Sequence, residues 1–561
     1  MSAPGPGYPD FDDILGQIGE FGRFQRRNYL LICLPVLFAA ANSLSYVFTA
    51  GSPTYRCQVP GCDSPDEPDY GADWVSAAVP GTWNNQGHFT PLTCERFVAN
   101  VSSIQSRPDE WCSVENFTKE TERCQQFVYG STEQTIVQQW GLQCRENLWK
   151  LAFVGTMHFA GLVVGTAISG YLADRFGRKN VFLICIVFMA LTGVAQALSW
   201  NYTSFLVFAL LNAVGTSGVY PLAFIIGVEM VGPRKREMCS IVLNYFYAVG
   251  EALLGLAAFL PNWRHLQLAL SLPPLLCVAY FWLVPESVRW LLARNRRAQA
   301  AVIIRRAAKV NRRDISVELM ASFKEQEVNG TVLTELEEPG APVELKDDQI
   351  WRAVKEVFGS HILLARYAIM LFVWAVNAIV YYGLSLNATN LSGNKYFNFA
   401  LVCLVEIPGY SIAWFCLRRL GRRLALSGSL LLCSATCVAS GFVTMAKSDW
   451  ISWSCANWLV VTLFLIGKLG ITSSFAVIYT FTAEMMPTVI RSGGVGVMST
   501  FARFGAMLAP FVPLLSTYYE PLPLLLFGAT SLVAGLLSLL LPETFHQKLP
   551  DTVEEAIALG K

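Results

Sequence analysis

The chain has 561 residues, 53% of them hydrophobic and 15% charged, with a formal net charge of +1. A soluble globular chain carries about 25% charged residues, so the composition argues against one, and a balance near neutrality gives no electrostatic footing for a nucleic-acid partner. The apolar residues come as uncharged blocks of about 20, the length that crosses a ~30 Å hydrocarbon core, so a polytopic membrane protein embedded in a lipid bilayer is expected.

The first 28 residues are polar and acidic at their start, with Asp10, Asp12 and Asp13. Phe11, Ile14, Leu15 and Ile18 recur at helical spacing, which predicts a short amphipathic helix on the inner membrane surface. The block at 29–50 is too long for a signal h-region and lacks a clear cleavage site, so it is read as the first span. Eleven more follow at about 149–171, 181–199, 204–227, 239–260, 265–284, 366–384, 397–417, 424–445, 457–479, 492–514 and 521–541.

Between spans 1 and 2 lies a loop at 51–148 with six cysteines: Cys57, Cys62, Cys94, Cys112, Cys124 and Cys144. An even count in an extracellular segment predicts three disulfides, with fifteen ways to pair them. The sequons Asn100-Val-Ser and Asn116-Phe-Thr fall in this loop, and Asn387-Ala-Thr and Asn390-Leu-Ser follow span 7. Basic residues mark the alternate loops: Arg23, Arg26 and Arg27, then Arg175, Arg178 and Lys179, then Arg234, Lys235 and Arg236. The positive-inside rule therefore places both termini in the cytoplasm, and the sequons of the loops after spans 1 and 7 on the outside. Asn329-Gly-Thr falls on the cytoplasmic side and should stay unmodified.

The segment 285–365 is mixed in charge, and its "EEPGAP" at 337–342 reads as a linker between amphipathic helices. It divides the chain into a half at 29–284 and a half at 366–541, with a tail at 542–561. The halves echo each other. "ADRFGRKN" (173–180) matches "LRRLGRRL" (417–424), "GVEMVGPRKR" (227–236) matches "TAEMMPTVIR" (482–491), and "PESVRWLL" (285–292) matches "PETFHQKL" (542–549). The offsets are 244, 255 and 257 residues, too nearly constant for coincidence. A duplicated six-span unit is transporter architecture, with its substrate near the bilayer midplane.

"GYLADRFGRKN" (170–180) resembles the loop 2–3 motif of the major facilitator superfamily. "TIVQQWGLQC" (135–144), "PESVRWLL" and "AEMMPTVIRSGGVG" (483–496) are similar to signatures of the organic ion transporters, solute carrier family 22. "YYGLSLNATNLSGN" (381–394) and "VEIPGY" (405–410) look most like its organic cation/carnitine branch. The resemblance implies an all-α membrane protein with twelve transmembrane helices in two six-helix halves, the major facilitator fold, carrying a disulfide-rich extracellular loop. It implies polyspecific plasma-membrane transport of small organic cations or zwitterions such as carnitine. In this family anion and carnitine transporters carry arginine where "FARFG" places Arg503, whereas strict cation transporters carry aspartate. The span 8 lysine of the anion branch is Tyr410 here. The positions matching the family's cavity-lining aromatics are Tyr247, Tyr381, Tyr382, Phe475 and Tyr479, with Asn42 and Tyr410 as weaker members.

Four charges interrupt the apolar spans: Glu251, Glu406, Lys468 and Arg503. Arg503 lies 12 residues past Arg491, which is about 18 Å along a helix and close to the bilayer centre. An intramembrane guanidinium costs roughly 2.5–3.5 kcal/mol on insertion scales, so it calls for a partner. The functional reading pairs it with a substrate carboxylate while Glu251 or Glu406 and the aromatic faces hold a cationic head. The structural reading pairs it permanently with one of those glutamates. Asp174, Arg175 and Arg178, with Glu229, Arg234, Arg419, Glu484 and Arg491, sit at cytoplasmic helix ends, where they can latch the outward-open state; the alternative is charge that only fixes topology.

No G-x-x-x-x-G-K-[ST] signature of an ATP-driven pump is present, the five histidines lack ligand spacing, and no nucleophile elbow occurs, so neither an enzyme nor a metal site or cofactor is expected. Sodium coupling, proton coupling, potential-driven diffusion and exchange all stay open. So do an organic anion transporter or exchanger using Arg503 and a nontransporting sensor on the same scaffold. A monomer is expected.

Overall fold

The computed structural model describes residues 11–64, 68–83, 89–99, 112–294, 296–315, 347–445, 453–488, 490–547, 549–550 and 552–559. Hydrocarbon offers the backbone no hydrogen bonds, so apolar blocks cross it as helices that bond internally. Among the described residues eleven helices are long and apolar enough to span: Arg23–Thr49, Arg145–Phe176, Arg178–Ala197, Tyr202–Met230, Pro233–Ala257, Trp263–Leu283, His361–Asn390, Lys395–Arg419, Arg422–Met445, Cys455–Met485 and Gly493–Thr517. A shorter apolar helix, Leu522–Ser538, completes the set of spans 1–12. They coincide with the apolar blocks but overrun them where hydropathy had already fallen, as span 10 does by continuing to Met485.

Prolines set where these helices are irregular. Pro273 and Pro274 turn part of span 6 into a 3₁₀ segment, and Pro510 and Pro513 do the same to Ala509–Thr517 in span 11. In span 8, Pro408 has no N–H for the Leu404 carbonyl, so the helix divides into Lys395–Leu404 and Glu406–Arg419. Small residues let backbones touch. A Cβ on Gly250 of span 5 would lie 2.3 Å from the Leu37 carbonyl of span 1.

Within the halves, span 3 packs on span 4, and span 9 on spans 10 and 12. The halves meet along spans 5 and 8 and along spans 2 and 11. They press together on the face that carries the 51–148 loop. There Lys395 and the Tyr396 hydroxyl both bond Glu133, Phe48 packs edge-on to Phe399 at 5.0 Å, and Thr156 donates to the Met507 carbonyl at 2.8 Å. On the opposite face, which carries the linker, the ties across the halves among the described residues are sparser. They include the exposed Arg418–Glu237 pair and a 2.6 Å Tyr245–Ser411 hydroxyl contact.

The loop between spans 1 and 2 adds β structure to a helical chain. Its three antiparallel ladders pair Tyr55–Cys57 with Phe127–Tyr129, Gly81–Trp83 with Phe89–Pro91, and Glu95–Ala99 with Phe117–Arg123. Three disulfides staple them: Cys57–Cys124, Cys62–Cys112 and Cys94–Cys144. A satellite core of Val59, Val75, Ala78 and Val79 lies beneath. At its edge Arg56, fully buried, grips Asp63 bidentately at 2.6 and 2.9 Å and donates to the Tyr70, Asp69 and Cys57 carbonyls. Removing one partner of such a pair strands a buried charge, at a cost of about 3–5 kcal/mol. Asp63→Ala is therefore expected to leave the loop misfolded and surface delivery several-fold lower by biotinylation. Normal delivery would mean that the disulfides alone carry the loop. Asn100 lies outside the described residues, as do Asn329 and 337–342. Asn116 is only 8% exposed, and its amide donates to Ser113 Oγ at 3.2 Å.

The N-terminal stripe does not face lipid. Ile14, Leu15 and Ile18 pack on Phe24 and on Ile304, Ala307 and Ala308 of the linker helix Arg297–Asn311. The helix is amphipathic because it has a protein partner, and periodicity alone cannot tell such a partner from a membrane surface. Asn311 clasps the arm: it accepts from Phe24 N at 2.9 Å and donates to Ile18 O and Gln25 Oε1 at 2.9 Å.

Candidate functional site

Pro408 places Glu406 in the first turn of the second helix of span 8, Glu406–Arg419, where a helix N-terminus favours negative charge. Lys468 comes from span 10 and meets it. Lys468 Nζ lies 2.8 Å from Glu406 Oε1, donates to Ser385 Oγ at 2.7 Å and to the Tyr381 carbonyl at 3.3 Å, and sits 3.5 Å from the Tyr381 ring centroid. Tyr381 donates its hydroxyl to Glu406 Oε2 at 2.8 Å, and Tyr410 reaches the same oxygen at 3.5 Å. Glu406 and Lys468 are both 0% exposed. A buried pair repays its desolvation only when further hydrogen bonds satisfy it, and here spans 7 and 8 supply them.

Glu251, from span 5, points into the same cluster and is also 0% exposed. Among the described residues the weak thiol donor of Cys403 is near its oxygens, no stronger donor is placed for them, and the charged groups nearest to it are Glu406 and Lys468. Three buried charges thus sum to one excess negative charge when all are ionised.

Arg503 stands apart from them. It is half-buried and makes only long contacts to Ser499, 3.5 Å to the carbonyl and 3.4 Å to Oγ, with Tyr382 close by. Among the described residues it pairs with no acid, so the permanent bond to Glu251 or Glu406 is not what the structure holds. The aromatic positions surround this space. Tyr381 meets Tyr382 at 5.1 Å and Phe475 at 5.3 Å; Phe475 meets Tyr479 at 5.9 Å; Tyr247 packs on Tyr220 at 5.4 Å; Tyr382 packs on Phe159 at 4.6 Å. Tyr479 is 40% exposed and touches Ser499 Oγ at 3.3 Å. Asn42 is not part of this cluster. It is 1% exposed, bonded to Phe38 O and Gln267, and ties span 1 to span 6. The family resemblance marked it, and helix packing uses a polar side chain in an apolar helix as readily as a ligand does.

At the linker face the two halves build the same clasp twice. In the first, Arg178 pairs with Asp174 and lies 3.9 Å from Glu229, Ser287 donates to Glu229 at 2.5 Å, and Glu286 accepts from Lys179 N at 2.9 Å. In the second, Arg422 grips Glu484 at 2.9–3.1 Å, Thr544 donates to Glu484 at 2.6 Å, and Glu543 accepts from Arg422 N at 2.8 Å. Gly177 and Gly421 make the turns at φ +106° and +86°, leaving room for the glutamates. The ion pairs lie within one half each, and Glu286, Ser287, Glu543 and Thr544, just past the last span of each half, tie in the segment that follows it. Arg419 is not the member from the second half: it rests on Phe415, and Arg422 takes the role. Aligning the two repeats on Gly177 and Gly421 matches Arg178 with Arg422, a signal present in the sequence. The same holds for Glu286 and Glu543. Among the described residues Arg175 bonds Tyr171 and lies over Phe176, Arg234 is exposed with no ion pair, and Arg491 holds the Met486 and Pro550 carbonyls.

Known proteins match this chain along its length. The sugar (and other) transporter family matches residues 110–556. An organic cation transporter protein of Drosophila melanogaster is 36% identical, covering 98% of this chain and 95% of its own. Organic cation/carnitine transporter 2 of Homo sapiens is 33% identical over 98% of this chain and 94% of its own. Among solved structures, the partially occluded inward open conformation of the xylose transporter XylE from E. coli has a TM-score of 0.60 at 13% identity, covering 94% of this chain and 100% of that one, a likeness of fold alone.

Proposed function

This chain belongs to the organic ion transporters, solute carrier family 22 of the major facilitator superfamily, and from that premise we propose that it carries small organic cations and carnitine-like zwitterions across the plasma membrane. Its relatives are named as organic cation and organic cation/carnitine transporters. The observation that carries the reading is Arg503, left without an acid although two glutamates lie in the same bundle core. The only other intramembrane cation of the four, Lys468, is spent on Glu406. A zwitterion fits this division: its carboxylate meets Arg503, and its cationic head enters a region of excess negative charge walled by Tyr382, Phe475 and Tyr479. A plain organic cation uses the second half alone. A plain anion gains Arg503 but faces the carboxylates.

The disulfide-rich loop faces outside and the linker face lies in the cytoplasm, with both termini. The halves rock about the midplane, opening the sparsely tied linker face while the loop face is sealed, and then the reverse. The paired clasps keep each half rigid while they move.

Uptake of labelled carnitine, tetraethylammonium and an aromatic carboxylate into expressing cells tests this. Saturable entry of the first two and little of the third is expected. Entry of the carboxylate alone would make the protein an anion carrier, and no saturable entry of any would leave a sensor.

A further inference from the structure

Glu251 is the buried ionisable group that the pairing scheme above leaves over. Its carboxyl is 0% exposed, and among the described residues only the weak thiol donor of Cys403 is near its oxygens. Each element packed against span 5 can be asked for a counter-charge. Span 8 presents Cys403, Glu406 and Tyr410, of which only Glu406 carries charge, and it is of the same sign. Span 10 presents Lys468, already bonded to Glu406 and Ser385. Span 7 presents Tyr381 and Tyr382; Tyr381 gives its hydroxyl to Glu406. Span 1 ends in Tyr46, whose hydroxyl is itself buried without a partner beside the equally unpartnered His158 Nε2 of span 2. Span 4 presents Tyr220, which faces Tyr247 and bonds Asn244. On span 6, Arg264 is turned to the Ala197 and Ser199 carbonyls and His265 is exposed.

An isolated carboxylate out of water costs several kcal/mol, and a second carboxylate beside it adds repulsion, so a pair of this kind does not stay doubly ionised without a cation. Lys468 neutralises one of the two. Two things can neutralise the other: a proton, or the head of an organic cation.

We infer that Glu251 is a proton-binding site whose proton and the substrate's cationic head exclude each other, making the protein an exchanger of protons for organic cations. This deepens the proposed function and rests on it. In the empty state the Glu251–Glu406 pair holds one proton as a carboxyl O–H. When a cation enters the cluster, that O–H bond breaks, the proton leaves to the aqueous side then open, and the cation takes over the neutralisation. Release of the cation reverses the step with a proton from the opposite side. No electron changes hands.

The test uses purified full-length protein in liposomes, with the membrane potential clamped by potassium and valinomycin, and labelled tetraethylammonium as probe. An acidic interior is expected to raise initial uptake several-fold in wild type, and Glu251→Gln is expected to bring the ratio of uptake with and without the gradient to about one, whatever its absolute rate. A second measurement does not depend on that variant folding: saturating tetraethylammonium added to wild type in weakly buffered detergent should release close to one proton per transporter, read by a pH dye. Wild type that moves tetraethylammonium without regard to the gradient and releases no proton overturns the exchange and leaves the transport reading standing. A sodium gradient that replaces the proton gradient overturns the proton. Retained stimulation in Glu251→Gln moves the site elsewhere. Absence of any tetraethylammonium flux or binding defeats the transport reading, and the inference falls with it.

Discussion

Lys468→Ala is expected to destabilise the protein by about 3–5 kcal/mol, a large part of the whole margin of a folded domain. The ammonium makes four contacts at once: the Glu406 carboxylate, Ser385 Oγ, the Tyr381 carbonyl and the Tyr381 ring. Alanine removes them together and leaves Glu406 and Glu251 buried side by side with no cation. The variant should therefore be retained inside the cell, with surface biotinylation down several-fold. Partnering the change with Glu406→Gln removes one stranded charge, and surface level should recover substantially. The double variant then separates fold from transport. If Lys468→Ala alone reaches the surface and transports normally, the pair is not an ion pair that the bundle needs, and the charge balance drawn around Glu251 has to be redrawn.

Arg503→Ala should change selectivity and leave the fold in place. The guanidinium is half-buried and gives its neighbours only 3.4–3.5 Å contacts to Ser499, so little structure depends on it. A charge-assisted hydrogen bond to a substrate carboxylate contributes about 1.5–3 kcal/mol, so the carnitine-to-tetraethylammonium uptake ratio should fall roughly 10- to 100-fold. Arg503→Lys should recover only part of the loss, because a point charge cannot form the two-pronged contact. An equal loss for both probes, at normal surface level, would mean that Arg503 shapes the bundle instead of reading the substrate.

Much of this was legible without coordinates because the bilayer constrains it so heavily. Hydrocarbon admits only helices of a fixed minimum length, so apolar blocks become spans with little ambiguity. The internal repeat exposed the two halves, since duplicated loops keep their charged punctuation. The aromatic and charged positions Tyr381, Tyr382, Phe475, Glu406 and Glu251 do converge in the bundle core.

What the sequence could not supply is pairing. A helical stripe at Ile14, Leu15 and Ile18 looks the same whether lipid or the Arg297–Asn311 helix covers it. Six cysteines allow many disulfide sets, and only folded proximity selects Cys57–Cys124, Cys62–Cys112 and Cys94–Cys144. The repeat alignment on Gly177 and Gly421 picks Arg422 over Arg419 as the counterpart of Arg178, but only the fold shows that its acid is Glu484.

The sequence by itself determined that this chain crosses a membrane twelve times as two related halves, because hydrophobic length and repeat spacing are properties of the chain alone. The tertiary structure decided that Lys468 and not Arg503 neutralises Glu406, leaving Arg503 without an acid and Glu251 without a cation of its own among the described residues. That choice depends on which side chains of spans 5, 7, 8, 10 and 11 come within a few ångströms, and Coulomb energy in a low-dielectric interior changes steeply over that distance.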